Sequence, residues 1–373
     1  MPGCAGNPYF MSIARLDIQQ IRNLHDVSID PSPHINILHG ANGSGKTSLL
    51  EAVHMLGLGR SFRTQNVRHL IQSQTGHCMV AGDIDALGIG STQRLGIQRQ
   101  LSGESLMRYA GNNIDLSTLA ELLPLQVINS DTFDLLEGSP QARRQYIDWG
   151  VFHAESSFIQ LWRGFKRALK QRNTLLKCGK IDPRLRQAWD QEFIRHADLL
   201  TVHRAHYIEQ LKPEFEVILS TLLGGVEIEL GFRPGWDQKK SLDAVLADSL
   251  ERDRRQGFTG YGPQRADLKV KADGHNAAER LSRGQKKLVV SALKLAQGSL
   301  FYRLSQRACI YLIDDLPSEL DSQHSQMFCD FLAASHNQCF ITCVDRDALQ
   351  RQWQPDVNIS HFTVANGQVK CTD

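Results

Sequence analysis

The sequence predicts an α/β fold in which a mixed sheet is interrupted by an inserted α-helical arm. Three stretches of the chain carry this prediction. Residues 35–58 indicate a strand, a glycine-rich turn and a helix in succession, and apolar residues between Tyr146 and Leu211 then recur at helical spacing. From residue 226 onward, strands and helices alternate again. An α/β lobe that encloses a helical insertion accounts for this order.

Length and composition fit a protein of two structural units with a substantial core. The chain has 373 residues, of which 41% are hydrophobic and 22% are charged, and its formal net charge is +2. We predict a flexible extension at 1–10, the first part of the α/β lobe at 11–138, the helical arm at 139–222 and the second part of the lobe at 223–373.

The cysteine pattern and the length of the apolar runs indicate the cellular compartment in which we expect the protein. The eight cysteines form no C-x-x-C pair, which argues against a zinc site and favours a reducing environment. No stretch approaches the roughly 18 consecutive apolar residues of a membrane span, and the N-terminus lacks the pattern of a secretory signal. We therefore expect a cytoplasmic protein without a membrane partner.

The first part of the lobe has the pattern of β-strands. Apolar residues alternate between Ile13 and Ile21, and the run INIL follows at 35–38. From about 78 to 130 the segments CMVAGDI, RLGIQRQ and LQVIN are short and separated by turn residues. These three segments predict an antiparallel layer beside the glycine-rich turn.

The arm has helical periodicity on both sides of one turn. Apolar residues from Tyr146 to Leu169 recur at spacings of three, four and six, as on one helical face. The segment KCGKIDP at 177–183 reads as a turn, after which the periodicity resumes from Leu185 to Leu211. Because strict heptads are not sustained, we predict an antiparallel helical hairpin rather than a long coiled coil.

The glycine-rich turn matches the phosphate-binding pattern G-x-x-x-x-G-K-[ST] in full. Its strand-before, helix-after context directs backbone N–H groups and a helix N-terminus at phosphate oxygens. Lys46 is placed to reach the β- and γ-phosphates of ATP, and the Thr47 hydroxyl to bind Mg²⁺. The alternative is a chance glycine-rich turn. The residues of the pattern are Gly40, Ala41, Asn42, Gly43, Ser44, Gly45, Lys46 and Thr47.

A second strand, YLI at 311–313, ends in two carboxylates. We predict that Asp314 binds Mg²⁺, directly or through water, and that Asp315 polarises the attacking water as general base. The alternative is a pair of solvated aspartates at a strand end. The segment SELD at 318–321 follows at the spacing of a D-loop, which crosses the dimer in related ATPase heads.

The segment LSRGQ at 281–285 resembles the ABC signature LSGGQ, with Arg283 in place of one glycine. In that class Ser282, Gly284 and Gln285 would bind the γ-phosphate held by the other protomer, which implies an ATP-dependent homodimer. The alternative is a serine N-cap at an ordinary helix. With the phosphate loop, this segment predicts a P-loop ABC-type ATPase head with a mixed sheet and an inserted α-helical arm.

The gap of 234 residues between Thr47 and the signature resembles the split heads of the SMC-related repair proteins. The finer resemblance is to the RecF family, and it runs from about Met11 to the end of the chain. The segments that carry it are 20–24, 40–47, 59–64, 138–148, 262–268, 281–288 and 311–321.

Besides Arg283, four features depart from the expected pattern or are assigned only a candidate residue. Asp315 stands where most heads have Glu, and Gln264 stands where the family has His. Gln126 is the candidate for the Gln loop, and no His follows the strand CFITCV at 339–344. Thr342 or Cys343 is the candidate replacement for that switch residue.

The RecF resemblance implies ATP and DNA binding, dimerisation on ATP, and weak DNA-stimulated hydrolysis. It further implies action at single-strand gaps or duplex–single-strand junctions, together with RecR and RecO. In that setting the protein helps the RecA recombinase to displace single-strand-binding protein.

The charge distribution favours a polyanion at the arm. Residues 140–212 contain fourteen Lys/Arg against seven Asp/Glu, a net charge of +7, whereas the remainder has 28 against 33, a net charge of −5. We expect Arg163, Lys166 and Lys170, which share one helix face, to contact phosphates without reading bases. Arg172 lies about 200° further round the helix from Lys170, so of these four basic residues it is the one most expected to make no contact. The alternative is a merely solvated hairpin.

Two other functions are compatible with the motifs. One is an ATPase subunit coupled to a transporter, against which the long gap and the basic arm argue. The other is a non-hydrolysing, ATP-gated DNA clamp, because the side chain of Asp315 is one methylene shorter than the usual base. Turnover measured with and without DNA would separate the clamp from an enzyme.

Overall fold

A computed structural model describes residues 11–86, 90–178, 182–316, 320–350, 353–354 and 357–372. The predicted extension at 1–10 and two residues of the predicted D-loop, Ser318 and Glu319, lie outside these ranges. The chain divides into two compact units, the first made of 1–132 and 301–373 and the second of 133–300. The second unit contains the predicted arm together with residues 223–300, and the domain limits at 138 and 222 stay a prediction.

One sheet of the first unit is antiparallel. In spatial order its strands are β2 (Leu24–Ile29), β1 (Ser12–Ile21), β4 (His77–Asp85), β5 (Gln93–Gln100), β6 (Ser105–Tyr109) and β7 (Asn112–Asn113). Along β1 the buried Leu16, Ile18 and Ile21 alternate with more exposed residues, as expected when one face of a sheet is covered. The predicted antiparallel layer is therefore confirmed for β4 and β5.

The second sheet of this unit is mainly parallel. Its spatial order is β15 (Gln368–Cys371), β14 (Ile359–Ala365), β3 (Ile35–His39), β13 (Gln338–Cys343), β12 (Ile310–Ile313) and β8 (Leu125–Ile128). Only β15 runs antiparallel to its neighbour. The prediction that LQVIN belongs to the antiparallel layer is wrong, because this segment forms β8, which pairs in parallel with β12.

The core of the first unit surrounds helix α1 (Lys46–Leu58). Nearly every residue of α1 is buried, and its Leu49 and Val53 belong to one apolar cluster with Ile18 of β1 and Phe340 of β13. Burial on every side of the helix fits a position covered all round, and its few buried polar residues have hydrogen-bond partners. The first unit also contains helices α2 (Leu116–Leu122), α10 (Ser322–Ala334) and α11 (Asp347–Gln350).

Buried polar side chains join the two sheets. Gln338 of β13 accepts a hydrogen bond from the Ile13 N–H at 2.8 Å and donates to the Ile13 carbonyl at 3.0 Å. It donates a further bond to the Ser32 carbonyl at 2.8 Å. Because an unpaired buried amide costs several kcal/mol, on the order of 2–7, these bonds fix β1 against β13.

The second unit is mainly helical. Its elements are α3 (Asp134–Glu137), α4 (Pro140–Ala154), α5 (Phe158–Leu176), α6 (Pro183–Leu222), β9 (Ile228–Arg233), α7 (Leu242–Gln256), β10 (Asp267–Ala272), β11 (His275–Asn276), α8 (Ala277–Arg280) and the start of α9 (Arg283–Ser305). The three strands form one antiparallel sheet in the order β11, β10, β9.

Helices α5 and α6 are the two limbs of the predicted hairpin. The rings of Phe165 and Phe193 pack between them with centroids 5.5 Å apart. The prediction of a single helical face from Tyr146 to Leu169 is wrong, because α4 ends at Ala154, the backbone of Glu155 is extended, and α5 starts at Phe158. Apolar periodicity continues across this break, so the spacing alone does not reveal it.

Candidate functional site

The carboxyl ends of three neighbouring parallel strands bring the predicted catalytic residues to one edge of the sheet. Strand β13 lies between β3 and β12, with Thr342 in register with Leu38 and Ile341 in register with Ile313. The phosphate loop follows β3, and the two aspartates follow β12. Ligands of open α/β sheets bind at such an edge.

The phosphate loop has the geometry of an anion site. A Cβ atom at Gly40 would overlap the carbonyl oxygen of Val364, so only glycine fits there. Gly45 precedes α1 in a left-handed conformation, and within the described residues no side chain caps the helix. The first N–H groups of α1 thus remain available to an anion.

Polar groups inside the loop point to the same conclusion. Lys46 is 8% exposed, and its Nζ donates hydrogen bonds to the carbonyl oxygens of Gly40 at 2.6 Å and Ala41 at 3.0 Å. The ammonium group therefore lies within the curve of the loop. The Oγ of Ser44 is buried and has no hydrogen-bond partner among the described residues. A buried hydroxyl of this kind fits a site that binds phosphate oxygens.

Asn23 braces the loop from the turn after β1. Its Nδ2 donates to the carbonyl of Ser44 at 3.1 Å, and its Oδ1 accepts from the Ser48 hydroxyl at 2.9 Å. The side chain thus ties the end of the loop to the first turn of α1. Asn23 belongs to the segment 20–24, but sequence reasoning gave it no role, because its contacts lie more than twenty residues along the chain.

A buried carboxylate on α1 contacts residues from two of the other segments that carry the family resemblance. Glu51 is fully buried and accepts two hydrogen bonds from the Arg22 guanidinium, at 3.0 Å and 2.8 Å. The Ser61 hydroxyl donates to the same carboxylate at 2.5 Å. One turn further along α1, burial lowers the pKa of His54 to about 4, and its Nδ1 lies 2.6 Å from the Arg60 carbonyl. Segments 20–24 and 59–64 therefore hold the helix that carries Lys46 and Thr47.

The predicted metal ligands lie side by side. The Thr47 hydroxyl donates to both carboxylate oxygens of Asp314, each at 3.1 Å. Hydroxyl and carboxylate oxygens are the hard ligands that Mg²⁺ prefers, and Mg²⁺ commonly keeps several waters in place of further protein ligands. Thr47 and Asp314 therefore fit a Mg²⁺ bound together with phosphate oxygens.

Thr342 connects the two aspartates. It is fully buried, and its hydroxyl donates to the Asp314 carboxylate at 2.7 Å while accepting from the Asp315 N–H at 2.8 Å. Asp315 has φ = 55°, a conformation that residues other than glycine seldom adopt and that is concentrated at functional sites. Of the two candidate switch residues, Thr342 is the one with direct contacts to both aspartates.

The other two candidates for the expected loop and switch roles lie elsewhere. Burial raises the pKa of Cys343 to about 11, so this residue stays a neutral thiol near neutral pH. Gln126 is 2% exposed and stands within β8, two residues before the strand ends at Ile128. The structure gives no support to Gln126 as the Gln-loop residue at the carboxyl edge.

In the second unit, the signature segment begins helix α9 with a reciprocal cap. The Ser282 Oγ accepts from the Gln285 N–H at 3.3 Å, and the Gln285 Oε1 accepts from the Ser282 N–H at 2.9 Å. This is a capping box. Ser282 and Gly284 are nevertheless exposed, and a Cβ at Gly284 would meet open space. The N-terminus of α9 is therefore capped and accessible at once.

Segments 138–148 and 262–268 meet in the second unit through an ion pair, and Arg204 of α6 bridges them by a further hydrogen bond to the Pro263 carbonyl at 2.8 Å. Arg143 donates to Asp267 at 2.6 Å, and Arg204 of α6 donates to both oxygens of Asp148, at 2.8 Å and 2.9 Å. Burial alone would raise the pKa of Asp267, but hydrogen bonds from Arg143 and Lys269 bring it below its usual value. Gln264 donates to backbone carbonyls of the adjoining loop. These residues join α4, α6 and the sheet.

The arm separates the four basic residues that the sequence grouped together. Arg163, Lys166 and Lys170 are exposed on α5. Arg172 is 1% exposed and forms ion pairs with Asp190 at 2.8 Å and Asp253 at 3.2 Å, so it is not a phosphate contact, as its position on the helix indicated. The physical reason is its position about 200° around the helix from Lys170, on the face that packs against α6 and α7.

No helix in the described part of the chain has the length and apolar character needed to span a membrane.

Comparisons with known proteins agree with this arrangement. The sequence family described as RecF/RecN/SMC N terminal domain matches residues 12–370. The chain is 49% identical over 363 residues to the DNA replication and repair protein RecF of Pseudomonas aeruginosa, covering 97% of this chain and 98% of the relative. It is also 49% identical to RecF of Azotobacter vinelandii, covering 97% and 99%.

Solved structures show the same fold. The recombination mediator protein RecF-ATP in the RecFOR pathway aligns over 100% of both chains with a TM-score of 0.87 at 22% identity. An Smc head bound to the C-winged helix domain of ScpA aligns over 97% of both chains with a TM-score of 0.60 at 16% identity. The predicted ABC-type head fold is therefore confirmed.

Proposed function

The chain belongs to the RecF family of DNA replication and repair proteins, and from this premise we propose that it is an ATP-dependent DNA-binding protein of recombinational repair and replication restart. It dimerises on ATP, hydrolyses ATP slowly, and acts in the cytoplasm at single-strand gaps to help load the RecA recombinase. RecR and RecO are its expected partners, in line with the RecFOR pathway of the structural relative.

The observation that carries this proposal is the contact between Thr47 and Asp314 at the end of the phosphate loop. These residues are 267 positions apart in sequence, and their convergence beside a capless helix N-terminus is what binding of a nucleoside triphosphate requires. Bound Mg²⁺ would offset the negative charge of the β- and γ-phosphates. Lys46 adds a cation from the loop itself.

Hydrolysis is assigned to Asp315 as general base. Its backbone N–H is fixed by Thr342, which also bonds Asp314, so the base and the metal ligand are positioned by one side chain. A carboxylate can accept a proton from the attacking water when it lies within hydrogen-bond reach of that water. The aspartate side chain is one methylene shorter than glutamate, which supports a slow reaction.

The exposed start of α9 supports the proposed homodimer. Because the Ser282 oxygen accepts from Gln285, its own O–H remains a donor for the γ-phosphate bound by a partner protomer. Gly284 leaves room for the close approach of a phosphate. ATP would thus be bound between the phosphate loop of one protomer and the signature segment of the other.

DNA is assigned to the arm through Arg163, Lys166 and Lys170. These side chains are exposed, and Lys166 also lies 5.3 Å from the centre of the Trp162 ring. Phosphate contacts of this kind confer affinity without sequence preference. Gapped DNA and duplex–single-strand junctions are the proposed substrates.

The test compares gapped, single-stranded and duplex DNA, each with and without ATP, while ATP turnover is measured in the same samples. We expect ATP to increase DNA binding, gapped DNA to bind best, and DNA to stimulate a slow turnover. ATP-dependent DNA binding without any turnover would identify a non-hydrolysing clamp instead. DNA affinity that is independent of nucleotide would contradict the proposal.

A further inference from the structure

A groove of about 690 Å³ lies in the second unit between the last turns of α6 and strand β9. Its apolar lining includes Phe215 and Leu219 from α6 and Ile228 and Leu230 from β9. All four side chains are largely buried, so the groove opens onto the apolar layer between the helix and the sheet. The proposed ATP and DNA sites use none of these residues.

One wall of the groove is the free edge of a sheet. Strand β9 is the last strand of its sheet and pairs with β10 on one side. The Glu227 carbonyl accepts a hydrogen bond from the Asp273 N–H at 2.9 Å. In an antiparallel pair, residues that hydrogen-bond the neighbouring strand alternate along the strand with residues whose N–H and C=O groups point the other way. The backbone groups of Ile228, Leu230 and Phe232 therefore point away from β10. No described residue forms a hydrogen bond with these outward-pointing N–H and C=O groups.

The rim of the groove is acidic. Glu216, Glu227 and Glu229 line it and are exposed. The one basic residue in the lining, Lys212, is already bonded to Glu209 at 2.6 Å. An unpaired strand edge bordered by like charges attracts chains of the opposite charge.

From the free edge, the apolar floor and the acidic rim, we propose that this groove binds an extended segment of a partner protein as an added strand next to β9. Side chains opposite each other in paired strands lie on the same face. Apolar residues of the segment would therefore pack beside Ile228 and Leu230 against α6. Its basic residues would lie beside Glu227 and Glu229, so the segment alternates basic and apolar residues. This partner surface goes beyond the proposed ATP and DNA functions.

The test uses the full chain and a labelled eight-residue peptide of alternating Lys and Val, with fluorescence anisotropy as the readout. We expect saturable binding, whereas a peptide of alternating Glu and Val should not bind. The double substitution Glu227→Lys/Glu229→Lys should lower the affinity for the Lys/Val peptide by about tenfold or more, because attractions between opposite charges across the strands become repulsions between like charges. Glu251→Lys is the matched control, an exposed glutamate of the same unit outside the groove, and should bind as the parent does.

Methylated peptides separate strand addition from simple charge attraction. Only every other amide of an added strand faces β9. Methylating one alternate set of amides should abolish binding, and methylating the other set should leave it unchanged. Equal binding of both methylated peptides, or no binding of the unmodified one, would overturn the proposal.

A second copy of the chain is the competing occupant of this edge. In that case a dimer would form without nucleotide and would be lost in the Glu227→Lys/Glu229→Lys variant. Sedimentation of both proteins without ATP decides the point, and such a dimer would overturn the partner assignment. Equal circular dichroism spectra and equal unfolding midpoints of parent and variant confirm that the variant is folded.

Discussion

The nucleotide edge of the first unit and the basic arm of the second differ in how their charged residues are held. At the edge, Lys46, Thr47 and Asp314 each bond a neighbour, and the partners come from both ends of the chain. On the arm, Arg163 and Lys170 are exposed on one helix, whereas Arg172 is buried in an ion-pair network. A sequence motif whose residues are held by packing thus identifies a binding site. Positive charge alone does not distinguish an exposed binding surface from a buried ion pair.

The largest effect in this comparison is expected at the edge. Lys46→Met keeps much of the side-chain volume but removes the cation held by the phosphate loop. ATP turnover should fall by at least about 10²-fold, because a preorganised positive group no longer stabilises the charge that develops on the phosphate. Nucleotide affinity should fall as well. Parental turnover in the purified variant would show that the site is assigned wrongly.

On the arm, two basic residues of one helix should respond in opposite ways. Arg172→Ala removes the shorter of the two ion pairs of Asp253, which is fully buried, and leaves it only the 3.5 Å pair with Arg252. The free energy of unfolding should fall by about 3–5 kcal/mol. Lys170→Ala is the control and should change it by less than about 0.5 kcal/mol. Denaturant titration of both variants measures the contrast. Equal stability of the two would mean that the buried network is not maintained in solution.

Asp315→Asn tests the base without emptying the site. The amide keeps the shape of the side chain but cannot accept the proton of the attacking water, so turnover should fall by about 10²-fold. ATP should still bind, and the ATP-bound dimer should persist longer than that of the parent. Turnover at the parental rate would remove Asp315 from the mechanism.

The smallest change is expected from the exposed arm residues. Replacing Arg163, Lys166 and Lys170 by Ala should flatten the dependence of log affinity for duplex DNA on log salt by about 0.9 per lost phosphate contact. All sequences should weaken alike. The control replaces three exposed basic residues of the same unit off the arm helix, Lys239, Arg255 and Lys271. Should the arm variant retain the parental affinity and slope, the arm would be a solvated surface only.

The sequence was sufficient for those parts of the site that local geometry determines. The phosphate loop is a contiguous strand, turn and helix, and Asp314 follows a strand whose buried run is unmistakable. The brace by Asn23 and the bridge by Thr342 depend on strand order, which brings β13 between β3 and β12. No spacing within a single segment encodes that order.

Fold elements were missed for related reasons. A short apolar run such as LQVI at 125–128 has the composition of a strand but does not reveal whether its neighbour is parallel. The break at Glu155 lies inside an uninterrupted apolar periodicity. The burial of Arg172 follows from carboxylates on α6 and α7, which only tertiary packing brings to it.

The central claim is that the nucleotide is bound between two protomers, one supplying the phosphate loop and the other Ser282. Ser282→Arg should bind ATP but fail to dimerise, because a bulky cation at the exposed start of α9 blocks closure. The mixing test uses Lys46→Met with Ser282→Ala, which removes the hydroxyl donor without blocking closure, so that one site of each heterodimer has an intact loop and an intact signature. Steady-state ATP turnover of the mixture is the decisive measurement. Activity that neither variant has alone is the result we predict, and a mixture as inactive as its components would contradict the shared site.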